Sequence, residues 1–144
     1  VPRILGIDYG ERRIGLALSD PTATIAQPLP TLTRRRGKRP PVQAIAEIVR
    51  TNDVAHVVIG LPLTLAGDEN EWTAEVRAFG NALAERAGVP VTYIDERFTS
   101  VRAEQAVRAS GLKRSQREEK ARVDAAAAIL ILQAFLDRRA DVHD

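Results

Sequence analysis

The chain begins on a run of mostly branched apolar residues, Arg3-Ile4-Leu5-Gly6-Ile7-Asp8, which stops at Tyr9-Gly10. A short apolar run closed by a glycine turn predicts a strand. Arg13-Ile14-Gly15-Leu16-Ala17-Leu18-Ser19 predicts its hairpin partner, with Asp20-Pro21 as the stop. Thr31-Leu32-Thr33 predicts a third, short strand. Pro40-Pro41 then starts a helix, because Val42, Ile45, Ile48 and Val49 recur at about the 3.6-residue helical period. Val54–Gly60 is an apolar run broken only by His56, the pattern of a strand buried on both faces. The loop from Leu61 to Asn70 leads into a helix from Glu71 to Ala87, which Gly88-Val89-Pro90 ends, and Val91–Asp95 predicts the next strand. Thr99-Ser100 predicts the cap of a helix reaching Ser110. Lys113–Arg122 reads as a charged, mobile segment and Val123–Asp137 as the last helix.

Hairpin-linked strands pair antiparallel, whereas strand–helix–strand units require parallel crossovers. The order therefore predicts an α/β architecture, a mixed five-stranded sheet flanked by helices. No repeat, low-complexity tract or linker interrupts the chain, and 144 residues suit one domain, 1–144, with its own core.

Composition removes several chemistries. With no cysteine, thiol catalysis, disulfides and zinc–thiolate sites are excluded. The histidines are His56, inside an apolar run, and His143 at the tail, which leaves little for a Ser-His-Asp relay. A net charge of +2 gives no global field to attract a polyanion, so the distribution of cations matters more than their total. Arg34-Arg35-Arg36-Gly37-Lys38-Arg39 concentrates them, and arginine's planar fork suits phosphate. A solvated loop, with arginine enriched by codon bias in a GC-rich genome, is the plainer account of the same run. The second basic stretch, Lys113, Arg114, Arg117, Lys120 and Arg122, is diluted by Glu118 and Glu119. The longest apolar stretch, Ala125–Leu132, is too short to span a bilayer, and no basic leader precedes a long apolar segment. A cytoplasmic protein is the expectation.

Three acids occupy settings where charge is costly. Asp8 ends the first strand, Glu96 follows the strand Val91–Asp95, and Asp124 opens the apolar run of the last helix. A carboxylate at the end of a buried strand must be paired or bind a metal. Converging carboxylates, with waters and substrate phosphates, suit Mg²⁺ or Mn²⁺ and point to phosphodiester chemistry. Each acid has a plainer reading: Asp8 as a turn residue, Glu96 as an ion-pair partner of Arg97, Asp124 as an acid favoured by a helix N-terminus. Asp95 competes with Glu96, since adjacent strand residues face opposite ways.

Four separated motifs resemble the YqgF/RuvX family: Gly6-Ile7-Asp8-Tyr9-Gly10 with Arg13-Ile14-Gly15, Ile59-Gly60-Leu61-Pro62, Asp95-Glu96-Arg97-Phe98-Thr99-Ser100, and Val123-Asp124-Ala125-Ala126-Ala127. They occur in the family's order and span Ile4 to Leu136. The resemblance implies an RNase H-like fold and a metal-dependent nuclease that processes structured RNA, the pre-16S ribosomal RNA. It assigns Asp8, Glu96 and Asp124 as metal ligands and catalytic residues. One departure accompanies it: RNase H-like nucleases often carry a carboxylate near the fourth strand, where this chain has Gly60-Leu61-Pro62. Two cations sharing Asp8 would lie roughly 3.5–4 Å apart about the scissile phosphate. Arg13 or Arg97 would offset charge on the phosphorane, and Arg34, Arg35 and Arg36 would hold the substrate backbone. RNA, within ribosomal precursor particles, is favoured over DNA, with no membrane partner and monomer or dimer left open. The rival readings are a Holliday junction resolvase acting on DNA and a non-catalytic nucleic-acid-binding factor.

Overall fold

The structure, a computed structural model, is described over residues 3–34, 39–98 and 117–143, with side chains left undescribed at 98, 117–124 and 140–143. Its strands are β1 (Arg3–Tyr9), β2 (Arg13–Ser19), β3 (Ala26–Thr33), β4 (Val54–Leu61) and β5 (Val91–Asp95). The helices are α1 (Val42–Thr51), α2 (Glu71–Ala87) and α3 (Arg117–His143), and a 3-10 turn, Glu96–Phe98, follows β5. The sheet order is β3-β2-β1-β4-β5. β1, β2 and β3 pair antiparallel, while β1, β4 and β5 run parallel, so the hairpin and crossover logic holds throughout.

Two elements differ from the sequence expectation. β3 begins at Ala26, not Thr31, and includes Pro28 and Pro30. Among the described residues it pairs only with β2 and lies at the sheet edge, where proline's missing N–H costs no second ladder. The last helix begins at Arg117, six residues before Val123. Its added turn is rich in Glu, Lys, Arg and Ala, strong helix formers that need no apolar stripe. The expected helix from Thr99 to Ser110 lies outside the described residues.

Strand alternation sends the sheet's two faces into two cores. Leu5, Ile7, Leu16, Val57 and Ile59 meet Ile45 and Val49 of α1 and Val76, Phe79 and Leu83 of α2. On the other face, Ile4, Ala17, Val58 and Ile94 meet Ala127, Ala128, Ile131 and Leu132 of α3. α3 lies very close to the sheet there. A Cβ on Gly6 would fall 2.6 Å from Leu132 Cβ, so glycine in the central strand and alanines on the helix set the separation. α2 starts at a capping box, in which Thr73 N donates to Asn70 Oδ1 at 3.0 Å and Asn70 N to Thr73 Oγ1 at 2.8 Å. Among the described residues no helix is long and apolar enough to cross a membrane.

Candidate active site

Because β1, β4 and β5 run parallel, their carboxyl ends share one edge of the sheet. In open α/β sheets ligands bind at this edge, beside the point where strand order reverses. Here β1 sends its neighbours to either side, β2 one way and β4 the other. Asp8 is the position just past the Ile7–Ile59 pair, and Glu96 the one just past the Leu61–Asp95 pair. Asp8 is 3% exposed and Glu96 1%. Alternation from Ile4 and Gly6 puts Asp8 on the face that α3 covers.

Glu96 reaches the same face. A Cβ on Gly60 would stand 2.6 Å from Glu96 Oε1 and 2.5 Å from Ile131 Cδ1, so the carboxylate lies over the β4 backbone beneath α3. This accounts for the missing acid on β4. Gly60 leaves empty the volume a side chain would fill, and Glu96 extends into it from the next strand. The departure at Gly60-Leu61-Pro62 implied reliance on Glu96 instead, but not the route by which its carboxylate reaches over β4.

Asp95 turns the other way. Its carboxylate takes Arg97 Nη2 at 2.7 Å, Arg97 Nε at 3.0 and 3.1 Å, and the Arg97 backbone N–H at 2.9 Å. The ion pair considered for Glu96 thus belongs to Asp95. Hydrogen bonding to Asp95 raises the Arg97 pKa above its ordinary value, so this fork stays charged.

The cations proposed for substrate stand in several settings. Arg13 opens β2, half-buried and opposite Thr33. The Arg34 side chain, 9% exposed, lies with its guanidinium carbon 4.6 Å from the Tyr9 ring centre. It donates to Gly10 O at 2.9 Å and approaches Glu75 at 3.8 Å. Its backbone N–H meets Arg12 O at 2.7 Å, which roots the basic loop at the β1–β2 turn, four residues after Asp8. Arg35 and Arg36 lie outside the described residues, as do Lys113 and Arg114 and the side chains of Arg117, Lys120 and Arg122. Tyr9 is buried in the core, stacked on Phe79 at 4.2 Å and Trp72 at 5.6 Å. Burial raises its phenol pKa, against the pull of Arg34.

Asp124 belongs to α3, and its side chain is outside the described set. Among the described residues no group of three or more His, Cys, Asp or Glu side chains gathers to hold a metal. The donors that are described, buried carboxylates at the carboxyl ends of β1 and β5 with Gly60 on the intervening β4, suit an oxygen-seeking divalent cation.

Sheet order, mixed pairing and helices on both faces define an RNase H-like fold. The RuvC protein of Thermus thermophilus in complex with Holliday junction substrate matches it with a TM-score of 0.56 at 16% identity, over 97% of this chain and 96% of that one. The Fowlpox virus resolvase in complex with junction DNA gives 0.57 at 9% identity, over 94% and 97%. Residues 2–138 match the model of the RuvX family, described as Holliday junction resolvase, and the chain belongs to that family. A relative in Koribacter versatilis, provisionally named as a pre-16S rRNA nuclease, is 44% identical over 137 residues, 95% of this chain and 88% of the relative. Another with that name in Chloroflexus aurantiacus is 46% identical over 139 residues, 94% and 87%.

Proposed function

We propose that this chain is a divalent-metal-dependent phosphodiesterase that cleaves structured RNA, with the pre-16S ribosomal RNA as its substrate. The observation that carries the reading is the burial of Asp8 and Glu96 on one face at the carboxyl ends of β1 and β5, with Glu96 reaching over Gly60 of the intervening β4. Two carboxylates desolvated at one edge of the sheet disfavour each other's charge, and a shared cation would stabilise both. Asp8, Glu96 and Asp124 would hold Mg²⁺ or Mn²⁺. Asp124 stands three, four and seven residues before Ala127, Ala128 and Ile131, all 0% exposed, so its position falls on the helix stripe that meets the sheet. Bound there, the cation would activate a water and neutralise charge on the scissile phosphate.

The protein's own part is to bind and orient. Glu96, under α3 and against the β4 backbone, has little freedom to swing away, so its oxygens are set before substrate arrives. Arg34 roots the basic loop beside the β1–β2 turn, and Arg35 and Arg36, next in the chain, would meet the substrate backbone. Such contacts fix register and carry no sequence information. Relatives named for a ribosomal RNA precursor favour RNA, ribosomal precursor particles as the setting, and the cytoplasm as the compartment.

Junction resolution on DNA is the second reading, favoured by the family description and by the fold shared with junction resolvases. Paired, symmetric cuts would need a dimer. One experiment separates them: purified protein with Mg²⁺ or Mn²⁺, a 16S precursor RNA, a single-stranded RNA and a four-way DNA junction. Metal-dependent cutting of the precursor alone supports the proposal. Paired cuts in the junction transfer it to the resolvase reading, and binding without cutting of any substrate removes the enzyme.

A further inference from the structure

The loop between β4 and α2 is fastened on all sides. Thr64 N donates to Asp68 O and Gly67 N to Thr64 O, both at 2.9 Å, and Asp68 N donates to Thr64 Oγ1 at 3.0 Å. Gly67 holds φ +92°, open to glycine alone without strain, and the Arg97 guanidinium lies against it. A Cβ there would be 2.9 Å from Arg97 Nη1. The same Nη1 donates to Leu65 O at 3.3 Å, while the other edge of the fork is held by Asp95. At the centre of this fastening the Leu65 side chain is 79% exposed.

Single exposed leucines are common and mean little alone. Ile25, 59% exposed, is one; it lies where β2 turns into β3, at the opposite end of the sheet. Leu65 lies at the edge that carries Asp8 and Glu96, and its backbone is held by the residue next to Glu96. Arg97 already spends its fork on Asp95 and Leu65 O, which suits a brace better than a phosphate clamp.

Resting on the nuclease reading above, we propose that the Thr64–Asp68 loop is a substrate arm. Leu65 packs on the face of an unstacked nucleobase next to the scissile phosphate. Arg97, acting through Asp95, is the positioning residue that holds the arm beside Glu96. Apolar side chains enter base steps in this way, and the contact tolerates any base because every base has an apolar face.

The test uses the whole chain carrying Asp8→Asn, expected to bind without cutting, and a hairpin RNA with 2-aminopurine at the stem–loop junction. A four-way DNA junction labelled at its crossover is the second probe. Binding should raise 2-aminopurine fluorescence as the base unstacks. Leu65→Ser should remove most of that rise and weaken binding about tenfold, as expected when one leucine side chain is no longer buried against the base. The salt dependence of affinity should stay as it was, since no charge is removed. Arg97→Lys keeps the charge but not the fork. It should lose the same rise and speed hydrogen exchange at the Thr64, Gly67 and Asp68 amides, which Leu65→Ser leaves unchanged. Wild-type fluorescence and affinity in Leu65→Ser, or unchanged amide exchange in Arg97→Lys, overturn the arm. Parent protein that binds neither probe removes the nuclease reading and the arm together, whereas binding indifferent to Leu65 removes the arm alone.

Discussion

Gly60→Ala adds one methyl group where there is room for none. The new carbon would lie 2.5 Å from Ile131 Cδ1 and 2.6 Å from Glu96 Oε1. Non-bonded carbons prefer about 3.5–4.0 Å, so both atoms must retreat by about 1 Å. Each is the end of a flexible side chain, and the fold should survive. Overpacking of this size costs about 1–3 kcal/mol, a fall of about 3–10 °C in Tm for a chain of this length. The larger effect is expected on the metal. Loss of even an outer partner of a metal ligand typically costs about 10–100-fold in metal affinity or activity, and moving a ligand should cost no less. Two measurements read this: cleavage of precursor RNA against Mn²⁺ concentration, and the Tm gained on adding Mn²⁺. Ile131→Val in the Gly60→Ala background removes the 2.5 Å conflict and leaves the one with Glu96. It should recover part of the lost stability and none of the metal response. If the double variant regains wild-type metal response, the Ile131 clash was the whole effect and Glu96 is not a ligand.

Asp8→Asn should abolish cleavage while leaving Tm in metal-free buffer equal or higher, because it relieves carboxylate repulsion; cutting at the wild-type rate would end the proposed mechanism. Replacing Arg35 and Arg36 by alanine should weaken substrate binding, with turnover at saturation little changed. The slope of log affinity against log salt should become shallower by about 0.7–0.9 for each phosphate that these arginines neutralise. Arg34→Ala should in addition cost about 1–3 kcal/mol in denaturant unfolding, since it loses the bond to Gly10 O and uncovers the Tyr9 ring. His56 is held below its ordinary pKa of 6.5, first by burial and then by Arg139. A depressed folded-state pKa favours the neutral form, so stability should be full above pH 6.5 and decline as pH falls below it. His56→Gln should flatten that part of the Tm–pH curve, and an unchanged curve would remove His56 as its cause.

Most of the sheet was legible because branched apolar runs end at glycine, proline or Asn-Asp, and because hairpin and crossover connections differ in length. β2, α2 and β5 run between the residues expected of them. β3 is longer than Thr31–Thr33 because the stretch before it holds Pro28 and Pro30, which a central strand excludes and an edge strand tolerates. The first turns of α3 escaped for a different reason. Hydrophobic spacing detects a helix by what it buries, and the segment from Arg117 to Arg122 offers charged helix formers with no apolar stripe.

The two buried acids were legible for the reason that makes them costly: each ends an apolar run, where a charge needs a purpose. The division of labour around Glu96 was not. Strict alternation says that Asp95 and Glu96 face apart, yet it does not say which faces inward, and β5 ends between them, where a 3-10 turn redirects the chain. What decides it is a side chain that is not there. Gly60 lies on β4, thirty-six positions earlier in the numbering, and a glycine at the end of an apolar strand looks like a stop signal. Its second meaning, room for a carboxylate arriving from the next strand, exists only once β4 and β5 pair with Gly60 beside Ile94 and Leu61 beside Asp95. An acid supplied by one strand or by its neighbour can fill the same volume above the sheet. A vacated position on β4 and an acid one residue past β5 are then two halves of one arrangement, and substituting either half tests the other.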